Sequence, residues 1–284
     1  MQKRLVRFYY PGHEFPAVSV TGDECALSCK HCNKHYLKRM VEAKTPSALE
    51  GFALGTKGIT GFLLSGGCDP NGLVDFEGYY GALKKITDSG LIVNAHVRVT
   101  DPPGAKKLAM SGVQIASVDV VGEPAVFEEV YGIKGSDPKE TLLALKESGI
   151  PSIVPHVCIG LWGGKLSHEM AALRIIKDSL EPAAIVFISL IPTKGTGYAN
   201  VTAPSSEDVL QVIVEARRLF PHTPLLLGCM RAKGERAIEI HALEAGIDGI
   251  VLPARETVAW VKRQGFEMQE HRNCCALAGL ITSL

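Results

Sequence analysis

Three cysteines stand within the eight residues Cys25-Ala-Leu-Ser-Cys29-Lys-His-Cys32. Thiolates are soft ligands that suit zinc, copper(I) or iron–sulfur clusters. A structural zinc site takes four ligands, usually as two CxxC-type pairs, and no fourth cysteine stands close to this trio. Three cysteines can hold three corners of a cubic 4Fe–4S cluster and leave one iron open. An open iron binds a small molecule and acts on it. The spacing therefore predicts a 4Fe–4S cluster rather than zinc or a chance grouping of thiols.

Other chemistry-bearing residues follow at intervals. Ser65, Gly66 and Gly67 end an apolar run, and glycines there let a backbone approach a ligand closely. Cys68 comes next, either as a ligand or as a buried thiol in a tight turn. Asn94, His96 and Arg98 alternate, so on a strand they share one face. A buried Arg98 needs an anionic partner. A bound carboxylate, a cluster, a substrate group or an ion pair with Asp119 would each serve. His156, Cys158 and Gly160 share a face in the same way, ahead of the open loop Leu161-Trp162-Gly163-Gly164. A polar glycine-rich loop begins at Pro192, and Cys229 lies in Gly228-Cys229-Met230-Arg231. Cys274 and Cys275 are adjacent, a geometry that strains a disulfide between them.

These residues hang on a regular alternation. Apolar, β-branched runs at 17–21, 59–65, 92–97, 114–121, 152–160, 185–191, 225–228 and 248–252 predict strands. Amphipathic stretches at 76–89, 102–110, 138–148, 166–179, 206–220, 235–245 and 256–264 predict helices. Gly90, Gly149 and Gly246 close three of them, and Ser206 is a plausible cap for another. Continuous apolar strands between helices imply a parallel sheet covered on both faces. The expected architecture is α/β, a single (β/α)8 barrel of one domain over 1–284, with 266–284 as a tail closing one end. The runner-up is a six-strand partial barrel with a C-terminal cap. In such a barrel the chemistry sits at the C-terminal ends of the strands, where the trio, the glycine turn and three further cysteines fall.

Composition narrows the setting. The chain has 284 residues, 46% hydrophobic and 21% charged, with formal net charge zero. Zero charge argues against a nucleic-acid partner held by bulk electrostatics. No apolar run reaches the roughly 18 residues of a membrane span. The charged start Met1-Gln-Lys-Arg lacks the apolar core of a signal peptide. Eight cysteines without an export signal then read as metal or redox chemistry in the cytoplasm.

The CxxxCxxC trio resembles the motif of the radical S-adenosylmethionine (SAM) superfamily. The whole chain resembles its biotin synthase-like branch. The narrowest likeness is to the second-component family of the two-protein lipoyl synthases. That likeness is carried by Phe8-Tyr-Tyr-Pro-Gly12, Ser19-Val-Thr-Gly22 before the trio, Ser65-Gly-Gly-Cys-Asp69, Pro155-His-Val-Cys-Ile-Gly-Leu161, Pro192-Thr193 with Gly195-Thr196, and Leu227-Gly-Cys-Met-Arg231.

The resemblance implies that the open iron holds the amino and carboxylate groups of SAM. Reduction then cleaves SAM to methionine and a 5′-deoxyadenosyl radical. It further implies SAM contacts from Ser65, Gly66 and Gly67, from Arg98, from Asp119 on the ribose and from Pro192 near the adenine. His31 departs from the carbocyclic aromatic residue common at its place, though an imidazole also stacks on adenine. Cys68, Cys158 and Cys229 are expected to hold a second iron–sulfur cluster that donates sulfur to an unactivated carbon of a protein-bound octanoyl chain. Its fourth ligand is left open among Arg98, Arg231, Cys274, Cys275 and an external sulfur species. The implied partners are a paralogous radical SAM subunit, an octanoylated carrier protein or peptide, and an external electron donor. The alternatives within this reading are a maturase or methyltransferase, or a non-catalytic iron–sulfur subunit.

Overall fold

The computed structural model describes residues 4–232 and 236–281. The helix expected at 235–245 begins, and the tail 266–284 ends, outside those residues.

Eleven parallel strands form one sheet among the described residues. They are β1 (Leu5–Tyr9), β2 (Ala17–Ser19), β3 (Val41–Glu42), β4 (Gly61–Ser65), β5 (Ile92–Val97), β6 (Ile115–Asp119), β7 (Ser152–Ile159), β8 (Ile185–Ser189), β9 (Leu225–Leu227), β10 (Gly249–Val251) and β11 (Glu267–His271). Their order is β11-β1-β10-β9-β8-β7-β6-β5-β4-β2-β3. The helices are α1 (Pro46–Gly55), α2 (Tyr80–Asp88), α3 (Pro102–Met110), α4 (Pro124–Tyr131), α5 (Pro138–Ser148), α6 (Glu169–Ser179), α7 (Ser206–Leu219), α8 (Arg236–Glu244), α9 (Arg255–Arg263) and α10 (Ala278–Ile281).

The eight expected strands are all present, within the expected windows and in sequential order. The closed ring of eight is not. β10 pairs with β1, in the register Arg7↔Gly249 and Tyr9↔Val251, instead of closing onto β2. β1 in turn pairs with β11. The physical reason lies in Leu5–Tyr9, which was not expected as a strand. Val6 and Phe8 are fully buried against the outer core while Tyr9 points into the curl, so the segment competes for the free edge of β10. The result is an open, curled ladder of eleven strands, which also replaces the six-strand alternative.

Curling is visible in the packing. Tyr9 of β1, Ile115 of β6, Val154 of β7 and Leu226 of β9 share one interior cluster with Cys275–Leu277. The tail thus enters the curl, where Ile115, Ala184 and Leu226 mark the strand beginnings. The larger outer core holds the helices against the sheet, with Phe62, Leu64, Leu83 and Ile86 fully buried. Local signals set the helix ends. Asp101 caps α3 through the Gly104 amide at 2.8 Å. Ser205, one residue earlier than expected, caps α7 in a capping box with Asp208.

Candidate functional site

The trio lies on the connection from β2 to β3, at the C-terminal rim of the sheet. Two neighbouring loops clamp it. On one side stands the turn after β4. The Gly67 amide donates to Thr21 Oγ1 at 2.7 Å, and the Cys68 amide donates to Cys25 Sγ at 3.2 Å. The Ala26 amide returns to the Cys68 carbonyl at 2.8 Å. This approach needs glycine, because a Cβ on Gly67 would stand 1.9 Å from the Glu24 carbonyl oxygen. Ser65 Oγ donates to the His96 carbonyl, tying the same turn to β5.

On the other side the loop after β8 carries Pro192. Its next residue, Thr193, pairs its hydroxyl with Tyr36 Oη at 2.9 Å. Asn33 Nδ2 donates to the Gly195 carbonyl, and the Tyr198 amide donates to the Lys30 carbonyl, both at 2.9 Å. The end of α4 completes the clamp. The Lys30 amide donates to the Val130 carbonyl, Lys30 pairs with Glu129, and the His31 ring meets Tyr131 edge-on at 5.2 Å.

Arg98 lies at the centre of this arrangement. Its guanidinium carbon is 4.1 Å from the centroid of Tyr131, and its Nη2 is 3.7 Å from Asp119 Oδ2. The ion pair with Asp119 therefore exists, yet Arg98 Nε and Nη1 are buried with no partner, as is His31 Nδ1. Asp119 is shared with His96, whose Nε2 is 3.2 Å from Oδ1, and His96 stacks on His156 at 5.2 Å. Burial alone would raise the Asp119 carboxyl, but His96, Arg98 and His156 outweigh it and hold the group well below the usual carboxylate range. Burial drives His31 and His156 down to about 4, so both imidazoles are neutral at pH 7.

The thiols of the rim differ among themselves. A hydrogen bond from Cys68 lowers Cys25 to about 5 against the cost of burial, helped by the Cys68 and Leu27 amides and Arg98. Cys25 is thus a thiolate at neutral pH, the form that binds metal. Burial pushes Cys29 up to about 11. Cys25 and Cys32 both lie within electrostatic reach of Cys29. Three soft donors beside a buried cation with two idle N–H groups fit a thiolate-ligated cluster whose open position takes a carboxylate-bearing molecule. Among the described residues no three His, Cys, Asp or Glu side chains converge into a closed ion site.

The structure brings together His31, Gly67, Cys68, Arg98 and Asp119 around the trio, with Ser65 and Pro192 on the clamping loops. It does not gather Cys68, Cys158 and Cys229. Cys68 sits against the trio, its amide donating to Cys25 Sγ. Cys158 on β7 has Asp119, Glu169 and Arg98 as charged neighbours. Cys229 follows β9, within electrostatic reach of Cys275. The three follow β4, lie on β7 and follow β9, strands that are not neighbours in the sheet. Arg231 is not available as a ligand either. It is 1% exposed, and its guanidinium donates to Glu239 on α8 and to the carbonyls of Gly228, Val251 and Leu252. Tyr131 was missed because α4 was not expected, although Pro124 at its start and Gly132 just beyond its end are a readable pair of boundary signals.

No protein-family model matches the chain. It is similar to the biotin synthase of Allorhizobium ampelinum, 21% identical over 180 residues, which is 62% of this chain and 54% of that protein. The biotin synthase of Prochlorococcus marinus is 23% identical over 177 residues, 62% of this chain and 53% of that protein. The chain thus spans about half the length of the curated relatives it matches. Among solved structures, the FeFe-hydrogenase maturase HydG from Carboxydothermus hydrogenoformans superimposes with a TM-score of 0.64 at 17% identity, over 98% of this chain and 72% of that one. These likenesses show a distant sequence similarity to biotin synthases and a fold shared with the hydrogenase maturase. They do not reach a particular enzyme.

Proposed function

We propose that the chain is a radical SAM enzyme that inserts sulfur into an unactivated carbon of a protein-bound octanoyl chain, as one subunit of a two-protein lipoyl synthase. The observation that carries the radical SAM part is the Cys25–Arg98 neighbourhood. It places a thiolate, two further thiols and a buried cation with idle donors at the strand-end rim. Cys25, Cys29 and Cys32 would hold the cluster, and Arg98 would take the SAM carboxylate. When bound, the cluster supplies the electron that cleaves SAM to methionine and a 5′-deoxyadenosyl radical.

This chain's own residues do the rest. The Gly66-Gly67 backbone and the loop at Pro192 close on the cofactor from two sides. Asp119, held ionised by His96 and Arg98, offers carboxylate oxygens to hydroxyl donors. The sulfur-inserting step rests on the sequence likeness to the lipoyl synthase family and on five cysteines beyond the trio. The same rim serves a cofactor maturase or methyltransferase equally well, and product identity separates the two.

The test is anaerobic reconstitution followed by incubation with SAM, a strong reductant and an octanoylated carrier protein together with the paralogous subunit. The expected products are 5′-deoxyadenosine and a thiolated octanoyl chain by mass spectrometry. Replacing Cys25, Cys29 or Cys32 by Ala should abolish both. Retained SAM cleavage in any of these variants overturns the radical SAM reading. A methylated or rearranged product without sulfur overturns the lipoyl part alone.

A further inference from the structure

A charged cavity opens at the end of the sheet opposite the trio. It has a volume of about 470 Å³ and is lined by Arg4, Arg7, Arg217, His222 and Asp248 among others. Parallel strands put their beginnings together. Arg4 precedes β1 and Arg7 lies on it, Pro224 precedes β9, and Asp248 precedes β10. The register Arg7↔Gly249, and the bond from the Arg7 amide to the Asp248 carbonyl at 2.9 Å, hold two of these starts side by side. The trio follows β2, at the other end of the strands.

The charges of this cavity do not balance. Among the described residues Asp248 is its one carboxylate, and it is already engaged. Its Oδ2 accepts from Arg217 Nη2 at 2.6 Å and from the Leu225 amide at 2.8 Å. Arg217 turns its other donors to the carbonyls of Gly246, Phe220, Pro221 and Thr223. That pair closes on itself. Among the described residues neither Arg4 nor Arg7 has an ion pair, and the pair of this cavity is Arg217 with Asp248. Arg4 is nevertheless held in place. Its Nη2 donates to the Ile247 carbonyl at 2.8 Å, and its guanidinium carbon lies 5.5 Å from the Phe266 ring centroid. Arg7 Nε is buried with no partner. Buried polar groups without partners are rare and call for a reason. Burial lowers the Arg4 guanidinium from its ordinary value, Asp248 raises it and Arg217 lowers it again, so these groups share one field.

We infer that Arg4 and Arg7 form a binding site for a phosphate dianion, free or carried as a monoester, at the beginning of β1. Two uncompensated guanidinium groups call for two negative charges. A carboxylate brings one, and a phosphate near neutral pH brings close to two. The guanidinium fork also matches phosphate oxygens in paired, parallel N–H bonds. His222 lines the same cavity and adds a ring nitrogen. Pro221 and Pro224 line it too, and they continue into a neighbouring cavity of about 580 Å³ that reaches Phe220. An ester's organic part has room there. A ligand so placed takes no part in chemistry at the rim, so this site goes beyond the sulfur-inserting reading and does not rest on it.

Calorimetric titration of the full chain with inorganic phosphate, at fixed pH and ionic strength, tests this. Binding should be saturable, and the same with and without loaded iron, because the cavity and the trio lie at opposite ends of the strands. Arg4→Gln and Arg7→Gln should each weaken it roughly tenfold or more, the loss expected for hydrogen bonds to a charged group. Lys139→Gln, at an exposed lysine outside the cavity, should leave it unchanged. Arg4 is only half-buried, so Arg4→Gln should keep the circular dichroism of the unaltered chain. Phosphate should raise the urea midpoint of the unaltered chain by mass action and fail to raise that of Arg4→Gln. Phenyl phosphate binding more tightly than inorganic phosphate identifies an ester as the ligand. The reverse order identifies free phosphate, and either order supports the site. Absence of saturable binding, unchanged affinity in Arg4→Gln and Arg7→Gln, or acetate binding as tightly as phosphate overturns the inference.

Discussion

Arg98 and Tyr131 are stacked, the guanidinium carbon 4.1 Å from the ring centroid. The stack joins the residue just past β5 to the last turn of α4, and it fixes the plane of a cation whose Nε and Nη1 remain unpartnered. A planar fork held against an aromatic face is pre-organised for a carboxylate.

Arg98→Ala should therefore weaken SAM binding by about 1.5–3 kcal/mol, the range for hydrogen bonds to charged groups, or roughly ten- to a hundredfold in Kd. Arg98→Lys should not recover it, because a lysine offers a point charge without the stacked fork. Equilibrium SAM binding to the reconstituted protein measures this. Equal affinity in wild type and Arg98→Ala would remove Arg98 from the cofactor site.

Gly67 tests the clamp. Its added Cβ would meet the Glu24 carbonyl oxygen at 1.9 Å and Cys25 Cβ at 2.6 Å, both on the loop that carries the trio. Gly67→Ala should cost about 1–3 kcal/mol of stability, as overpacking does, and lower the iron loaded at the trio. Gly51 is the control, since nothing lies within 4 Å of a Cβ there and it sits inside α1. Gly51→Ala should stabilise by about 0.5–1 kcal/mol. Denaturant unfolding with iron counting distinguishes the two.

The strands and the trio were legible for the same reason: both are written locally. Runs such as the one through Phe62 and Leu64 are apolar because both faces are covered, and three ligands within eight residues need no tertiary knowledge. β1 was not legible, because Arg7 interrupts its apolar pattern and its partner β10 lies at the other end of the chain. β11 reads Glu-Met-Gln-Glu-His, the polar face of an edge strand. Cys275 joins Tyr9 and Val154 in the interior only because the tail turns back into the curl, and no period in the sequence records that return. Cys68 was readable as a strand-end residue, but the hydrogen bond from its amide to Cys25 follows from β2 and β4 being neighbours in the sheet.

His156 makes a pH prediction. Burial, with the neighbouring His96, holds it at about 4 against an ordinary 6.5. Between those values the unfolded chain binds a proton that the folded chain does not, so stability rises with pH there. The contribution is complete above about pH 6.5 and is lost as pH falls toward about 4. His156→Gln removes this proton difference and should flatten the dependence by at most about 1.4 kcal/mol per pH unit. Unfolding free energies of both proteins, equally loaded with iron, measured across that window should converge toward acid. Parallel curves would show that His156 does not titrate this way.

Arg231 and Glu239 form a buried ion pair at 2.5 Å, 1% and 7% exposed. Glu239 also accepts from the Ala254 amide and the Thr257 hydroxyl, while Arg231 binds three carbonyls at the ends of β9 and β10. The pair ties α8 to the sheet rim and sets the loop that presents Cys229. Removing one charge leaves the other uncompensated, so Arg231→Met should cost about 3–5 kcal/mol. Arg231→Met with Glu239→Leu should recover part of that loss, the remainder reflecting the stranded Ala254 and Thr257 donors. Urea midpoints at constant slope measure both. Iron per folded molecule should be unchanged in either variant, because the Arg231 guanidinium donates to Glu239 and to the carbonyls of Gly228, Val251 and Leu252. A specific loss of iron in Arg231→Met, with the double variant no more stable than the single, would instead make Arg231 a ligand-side residue.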